Sequence, residues 1–239
     1  MILVPLAVPD RAPDLRLLAA TGHGTVAARA VPAGGRAEFT AGAGETVLVL
    51  IGGRARLAPP GGETVGPGGG AHLPPGARVA LTAVGGPAVV LTATAHGGAD
   101  PAARGSAAPR PLAPTADGDG ARALAEGGGH EGMGVRWLAT ADTVGTRRLT
   151  LATSVFTPGG SHRLHRHPAA DEFFLVLTGG GEHLTGAGPV RLAAGDLAVV
   201  PVGEWHGYRT DPSTTTTALY GYLGAPDLRS AGYLTRPGS

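Results

Sequence analysis

The sequence predicts an all-β protein made of two tandem small β-barrels joined by a linker rich in Gly, Pro and Ala. Three observations carry that expectation. First, "ETVLVLIGGRARL" (45–57) lines up with "EFFLVLTGGGEHL" (172–184) at an offset of 127 residues. Without a gap the same offset takes Gly68 to Gly195, Pro74 to Pro201, Gly76 to Gly203 and Val79 to His206, the signature of a duplication. Second, both copies read as short apolar runs (TVLVLI, RVALTAV and AVVLTATA, then FFLVL and DLAVVPV) broken by Gly- and Pro-rich turns, with little helical periodicity. Third, residues 96–134 carry almost no large apolar side chain and many Gly, Pro and Ala, the composition of a linker.

The order along the 239 residues is then a first barrel over 1–97, a linker over 98–134 and a second barrel over 135–239, each barrel about 100 residues long. Within the linker, "DGDGARALAEGGG" has room for one short helix from Gly120 or Ala121 to a stop at Gly127. The start, "MILVPLAVPDRAPDLRLLAA", has no basic leader region, and Pro5, Pro9, Asp10 and Arg11 interrupt its apolar run. It reads as neither signal peptide nor membrane span, and a cytoplasmic location is expected.

Composition narrows the chemistry. There is no Cys, and all 19 basic residues are Arg. Thiol nucleophiles, thiolate metal sites, disulfides, lysine Schiff bases and a P-loop lysine are therefore excluded. Net charge is +1 and the arginines are scattered, so neither nucleic acid nor membrane is an expected partner.

The informative stretch is "SHRLHRHPAADE" (161–172). Side chains two apart on a strand share a face, so His165 and His167 project together. A turn at "PAAD" reverses the chain, and Glu172 opens the neighbouring strand facing the same interior. His206 joins from a distance, with Pro201 and Gly203 placing a tight turn just before it. Three imidazoles and one carboxylate make a mixed nitrogen and oxygen site for one divalent metal, with positions left open for water or substrate. Fe, Mn, Zn, Ni and Co all suit it, and Fe is favoured.

The spacings Gly-x5-His-x-His-x4-Glu-x6-Gly (159–179) and Gly-x5-Pro-x-Gly-x2-His (195–206) resemble the two signature motifs of the cupin superfamily. The resemblance implies that each barrel is a small jelly roll, that the chain is a bicupin, and that His165, His167, Glu172 and His206 bind the metal. The second motif usually ends in Asn; Thr210 stands there, outside the ligand set. Copy one has no His opposite His165 or His167, has Val79 opposite His206, and keeps Glu45 alone, so a metal-free first barrel is expected. His72 aligns with Val199 and reads as a surface or lightly buried histidine.

Alternation nominates the neighbours: Phe174 and Val176 inward with Glu172, and Tyr208 and Thr210 inward with His206, an apolar pocket with a few polar groups. Tyr208 is the candidate proton donor or substrate hydrogen-bonder, its alternative being an ordinary barrel aromatic. Arg163 shares the parity of His165 and would either meet an anionic substrate or point to solvent. Trp205 is expected outside, His162 in a solvated loop, His183 on no assigned face, and Tyr220 and Tyr222 together on one face. The resemblance implies a metal-dependent enzyme acting on a small oxygenated metabolite, with dioxygenase-type oxidoreductase chemistry slightly favoured. A redox-neutral isomerase, polyketide-type cyclase or hydrolase is the alternative, and a metal-bound small-molecule sensor or binding protein the non-enzymatic one. The chain is expected either as a monomer with an internal pseudo-dimer or as a homodimer.

Overall fold

The computed structural model describes residues 1–5, 15–59, 61–97, 108–112, 122–123 and 129–236. Among them every strand pair is antiparallel, and the only helix is the four-residue Leu228–Ala231. No helix among the described residues is long and apolar enough to cross a membrane.

Copy one has two walls. One sheet runs in the order Arg110–Pro111, Gly70–Leu73, Thr46–Gly52, Ala88–Ala95, Gly24–Val31, Arg16–Ala20; the other runs Arg36–Thr40, Arg78–Ala83, Ala55–Ala58, Thr64–Val65. Copy two repeats the plan in one continuous sheet. Its long strand Leu149–Arg166 pairs with Thr216–Leu223 through residue 156 and with His206–Thr210 from residue 161, so it passes from one wall to the other. The crossing lies at "TPGG" (157–160), where Gly159 takes φ 76° and a side chain on Gly160 would meet Gly132 O at 2.8 Å. Only glycine fits both demands cheaply.

Alternation sorts the apolar residues into three cores. Leu48, Leu50, Leu57, Leu81 and Val90 fill copy one, while Phe156, Phe174, Val176 and Ala218 face into copy two. The opposite faces of the same strands join across the two copies, with Val47, Val49 and Leu91 packed in one cluster with Leu151, Phe173, Leu175 and Leu219. Each such fully buried side chain contributes about 1.5–3 kcal/mol relative to exposure, so this shared core binds the barrels to each other.

The strands do not respect the expected domain limits. Ile2–Pro5 pairs with Asp196–Val200 of copy two, and Arg110–Pro111, in the expected linker, pairs with Gly70–Leu73 of copy one. Copy one thus lends an edge strand to copy two, and the expected linker lends one to copy one, each covering an edge otherwise open to association. His130–Ala139 begins five residues before the expected second domain and flanks the long strand. The expected short helix falls mostly outside the described residues; its two described residues, Arg122 and Ala123, pair as a strand with Val135 and Gly134.

Candidate metal centre

His165, His167, Glu172 and His206 converge, with one ligand atom from each lying within 4.8 Å of the others. All four are buried. His165 and His206 are direct cross-strand partners, and Glu172 enters from the strand Asp171–Thr178, as the spacing requires.

The hydrogen bonds settle the imidazole tautomers. His165 Nδ1 donates to Arg163 O at 2.8 Å, His167 Nδ1 to Gly232 O at 2.5 Å and His206 Nδ1 to Glu204 O at 3.0 Å. A carbonyl oxygen can only accept, so each Nδ1 carries the proton, and each ring in its neutral form presents a bare Nε2 lone pair; burial lowers His206, but Glu172 more than offsets this. Those lone pairs meet no donor: Nε2 of His165 and of His167 are buried without a hydrogen bond, and Nε2 of His167 and His206 stand 3.1 and 3.3 Å from Glu172 Oε2, another acceptor. Acceptors crowded against acceptors in a buried site call for a cation, and backbone carbonyls holding Nδ1–H are the outer support that orients metal-binding histidines. The residues therefore fit a divalent metal. Burial pushes the Glu172 carboxyl up, but His206 and His167 more than offset this and hold it well below the ordinary carboxylate range. Burial lowers His165, aided by His162 and His206.

A cavity of about 260 Å³ opens on His165, Glu172 and His206. Met133, Val135, Phe156, Phe174, Tyr220 and Tyr222 are part of its wall, and among the described lining residues none is Arg, Lys or Asp. Phe174 and Tyr208 line it. Val176 packs in the core behind, and Thr210 is buried with its hydroxyl donating to Gly180 O at 3.1 Å. Arg163 turns outward to pair with Glu131 at 3.5 Å, both exposed, because the bulge between His162 and His165 alters the strand's alternation. Trp205 lies away from the cavity, beneath the Arg166 guanidinium at 4.9 Å. The shared face of Tyr220 and Tyr222 is the interior.

Two histidines, His162 and His72, correct the sequence reading, and a third, His183, gains the face it lacked. His162 is not in a solvated loop: it stacks on His165 at 3.9 Å, bonds Tyr233 Oη at 2.9 Å, and is lowered to about 3 by burial and by His130. His183 points inward, parallel to His206 at 6.1 Å, and burial with His206 lowers it to about 4. His72 is buried, with Nε2 2.9 Å from Glu45 Oε2. Sequence reasoning missed His130 and Tyr233, which line the cavity from the expected linker and the tail. The one available hint was an isolated aromatic or imidazole in an otherwise small-residue segment.

The register also corrects the alignment of the copies. Thr46 stands opposite Leu73 as Glu172 stands opposite Val200, so Thr46 occupies the place of Glu172, and Glu45 that of Asp171. Likewise Phe39 faces Val79 as His165 faces His206. Copy one thus retains none of the four ligands at equivalent positions.

Residues 152–220 match the family model described as "Cupin domain". That stretch of the second copy is thus similar to a cupin domain. The bicupin fold extends to the whole chain: oxalate decarboxylase from Lactobacillus farciminis superposes with TM-score 0.68 at 12% identity, covering 98% of this chain and 88% of that one. A cupin 2 conserved barrel domain protein from Leptotrichia buccalis gives 0.60 at 13% identity over 91% of each chain. Bacillus subtilis oxalate decarboxylase, described with Mn(II) centres, gives 0.63 at 14% identity over 98% of this chain and 79% of that one. No curated protein matches the sequence.

Proposed function

We propose that this bicupin is a metal-dependent enzyme whose C-terminal cupin acts on a small, largely apolar oxygenated metabolite, with dioxygenase-type oxidation as the reaction. The observation that carries the reading is the set of bare, buried Nε2 atoms opening on a cavity walled by aromatic and aliphatic side chains. A divalent metal bound there supplies Lewis-acid activation of a chelating oxygen and, if redox-active, electron transfer to dioxygen. The chain's own residues do the rest. The carbonyls of Arg163, Glu204 and Gly232 hold the three rings in register, and Phe156, Phe174 and Tyr220 exclude water and favour a flat substrate.

Oxalate, named for two of the structural relatives, is a poor match for this cavity. A small dianion needs a cationic partner, and no described lining residue offers a permanent positive charge. A catechol or enol, neutral in solution and chelating through adjacent oxygens, suits the walls better.

The test is elemental analysis of the purified protein beside a His165→Ala, His167→Ala variant, followed by oxygen uptake with a panel of catechols and enols. Metal lost from the variant and substrate-dependent oxygen uptake by wild type are the expected results; equal trace metal in both proteins refutes the reading. One observation favours a redox-neutral isomerase, cyclase or hydrolase instead. His162 and His183 are uncharged at neutral pH and face the cavity, as a proton-transferring pair would. Turnover undiminished under argon selects that second reading.

A further inference from the structure

Three polar side chains in the cavity have no part in holding a metal and no bonding partner of their own. His183 Nδ1, Ser154 Oγ and Tyr208 Oη are each buried without a hydrogen bond, on residues no more than 2% exposed. His183 and Tyr208 are cross-strand partners on one wall, and Ser154 belongs to the half of the long strand that builds the other. The Tyr208 hydroxyl lies beside those of Thr210 and Thr216 but reaches hydrogen-bond geometry with neither. Phe174 sits against both Tyr208 and His183, at 4.9 and 6.1 Å, and Phe156 against Tyr208 at 5.0 Å.

Unsatisfied buried polar atoms are rare in native folds and need a reason. Copy one shows that the barrel does not need His183 or Tyr208. Leu81, the cross-strand partner of Leu57, holds the place of Tyr208, and Leu57 the place of His183; both are buried in an ordinary apolar core. The imidazole and the phenol are present in the copy that has the metal ligands and replaced by leucines in the copy that lacks them.

We propose that His183, Tyr208 and Ser154 form a second, uncharged polar subsite, so that the ligand carries a hydroxyl, carbonyl or amide apart from its chelating oxygens. The inference rests on the reading of the cavity as a site for a chelating metabolite and adds the second function that such a molecule must bear. The absence of a charged side chain at this end makes that second group neutral. Between the two ends, the rings of Phe156 and Phe174 require an apolar middle.

The test uses two catechols of nearly equal shape, 4-ethylcatechol and 3,4-dihydroxybenzyl alcohol, which differ by a methyl group against a hydroxyl. Both are titrated calorimetrically, under argon, into the full-length protein loaded with zinc. The alcohol is expected to bind about tenfold more tightly, one added hydrogen bond's worth. His183→Leu and Tyr208→Phe, checked for one metal per chain, are expected to shrink that ratio below about twofold. Equal binding of the two probes to wild type, or a ratio that survives both substitutions, overturns this inference alone. Failure of both probes to bind zinc-loaded protein overturns the chelation reading, and this inference with it.

Discussion

Gly232→Ala tests whether the C-terminal segment holds the metal centre. Gly232 ends the helix Leu228–Ala231 with φ 74° and ψ 158°, a conformation that residues with a Cβ rarely adopt. A Cβ there would stand 2.7 Å from Pro168 Cγ. Forcing alanine into that backbone costs about 1–3 kcal/mol. A helix of one turn has no cooperative stability to resist this, so the segment relaxes by moving. Its movement takes the Gly232 carbonyl away from His167 Nδ1, now 2.5 Å distant, and frees the ring to rotate or change tautomer. Loss of such an outer hydrogen bond weakens metal binding about 10–100-fold, or about 1.4–2.7 kcal/mol. The assay is competition for zinc against a chromophoric chelator, run beside thermal melts. Arg229→Ala, an exposed substitution in the same helix, is the control and should leave affinity unchanged. If Gly232→Ala melts earlier yet binds zinc within twofold of wild type, the carbonyl does not position His167 and the argument fails.

Metal removal should lower the melting temperature of wild type, since a metal at 1,000 times its dissociation constant adds about 4 kcal/mol to the folded state; chelator should not shift a His165→Ala, His167→Ala variant. Glu45→Gln should destabilise the protein by about 2–3 kcal/mol at pH 7, because the carboxylate accepts from the Arg147 and Arg148 amides at 2.9 and 2.6 Å and lies against His72. Burial raises Glu45, but His72 and those amides bring it below its ordinary value, so its contribution is complete above the unfolded carboxyl's pKa and is lost as pH falls through the lowered one. Urea titrations at pH 7 and pH 3 should therefore show the gap between wild type and variant closing in acid; a gap constant with pH contradicts this. Val79→His should not confer metal binding on copy one and should cost about 2–4 kcal/mol, because the imidazole would replace a side chain 1% exposed among Phe39, Leu57 and Leu81.

The fold and the ligand set were legible because each rests on local periodicity. Alternation put His165 with His167, and Phe174 with Glu172, and the Pro-x-Gly turn before His206 set the approach of the last ligand. The alignment failed by one residue at Glu45 because Glu45 resembles Glu172 in type, while strand register is set by pairing with Leu73 and Val200, which only the folded sheet reveals. Arg163 was placed by a parity that the bulge before His165 breaks. His162 looked like a solvated histidine and His183 had no assigned face because their burial depends on what covers them: Tyr233 from the tail in one case, Phe174 from a different strand in the other. The edge strand that copy one lends to copy two left no local mark at all, since Ile2–Pro5 pairs with residues nearly 200 positions away.

The corrected register explains how one barrel could lose its metal site without weakening the assembly. Copy two begins its strand with two adjacent acids, and alternation sends them to opposite faces. Glu172 enters the barrel, while Asp171 faces copy one, where its Oδ2 meets His23 Nδ1 at 2.8 Å and its Oδ1 accepts from the Val202 amide at 2.8 Å. Copy one has Glu45 and Thr46 in those places. Glu45 repeats the outward role, reaching the Arg147 and Arg148 amides in the loop that leads into the long strand of copy two, as His23 lies in the loop leading into Gly24–Val31. Thr46 has only to bond Thr94 at 3.0 Å. The contact between the copies depends on the outward acid and the metal on the inward one, so replacing Glu172's counterpart by threonine and the histidines' counterparts by Phe39 and Val79 alters the barrel interior alone. An isolated metal-binding barrel would expose the face built from Phe173, Leu175 and Leu219, which copy one buries. Copy one's structural role is thus to cover the outer wall of the sheet whose inner wall carries Glu172, and that role places no demand on its own interior except that it be filled.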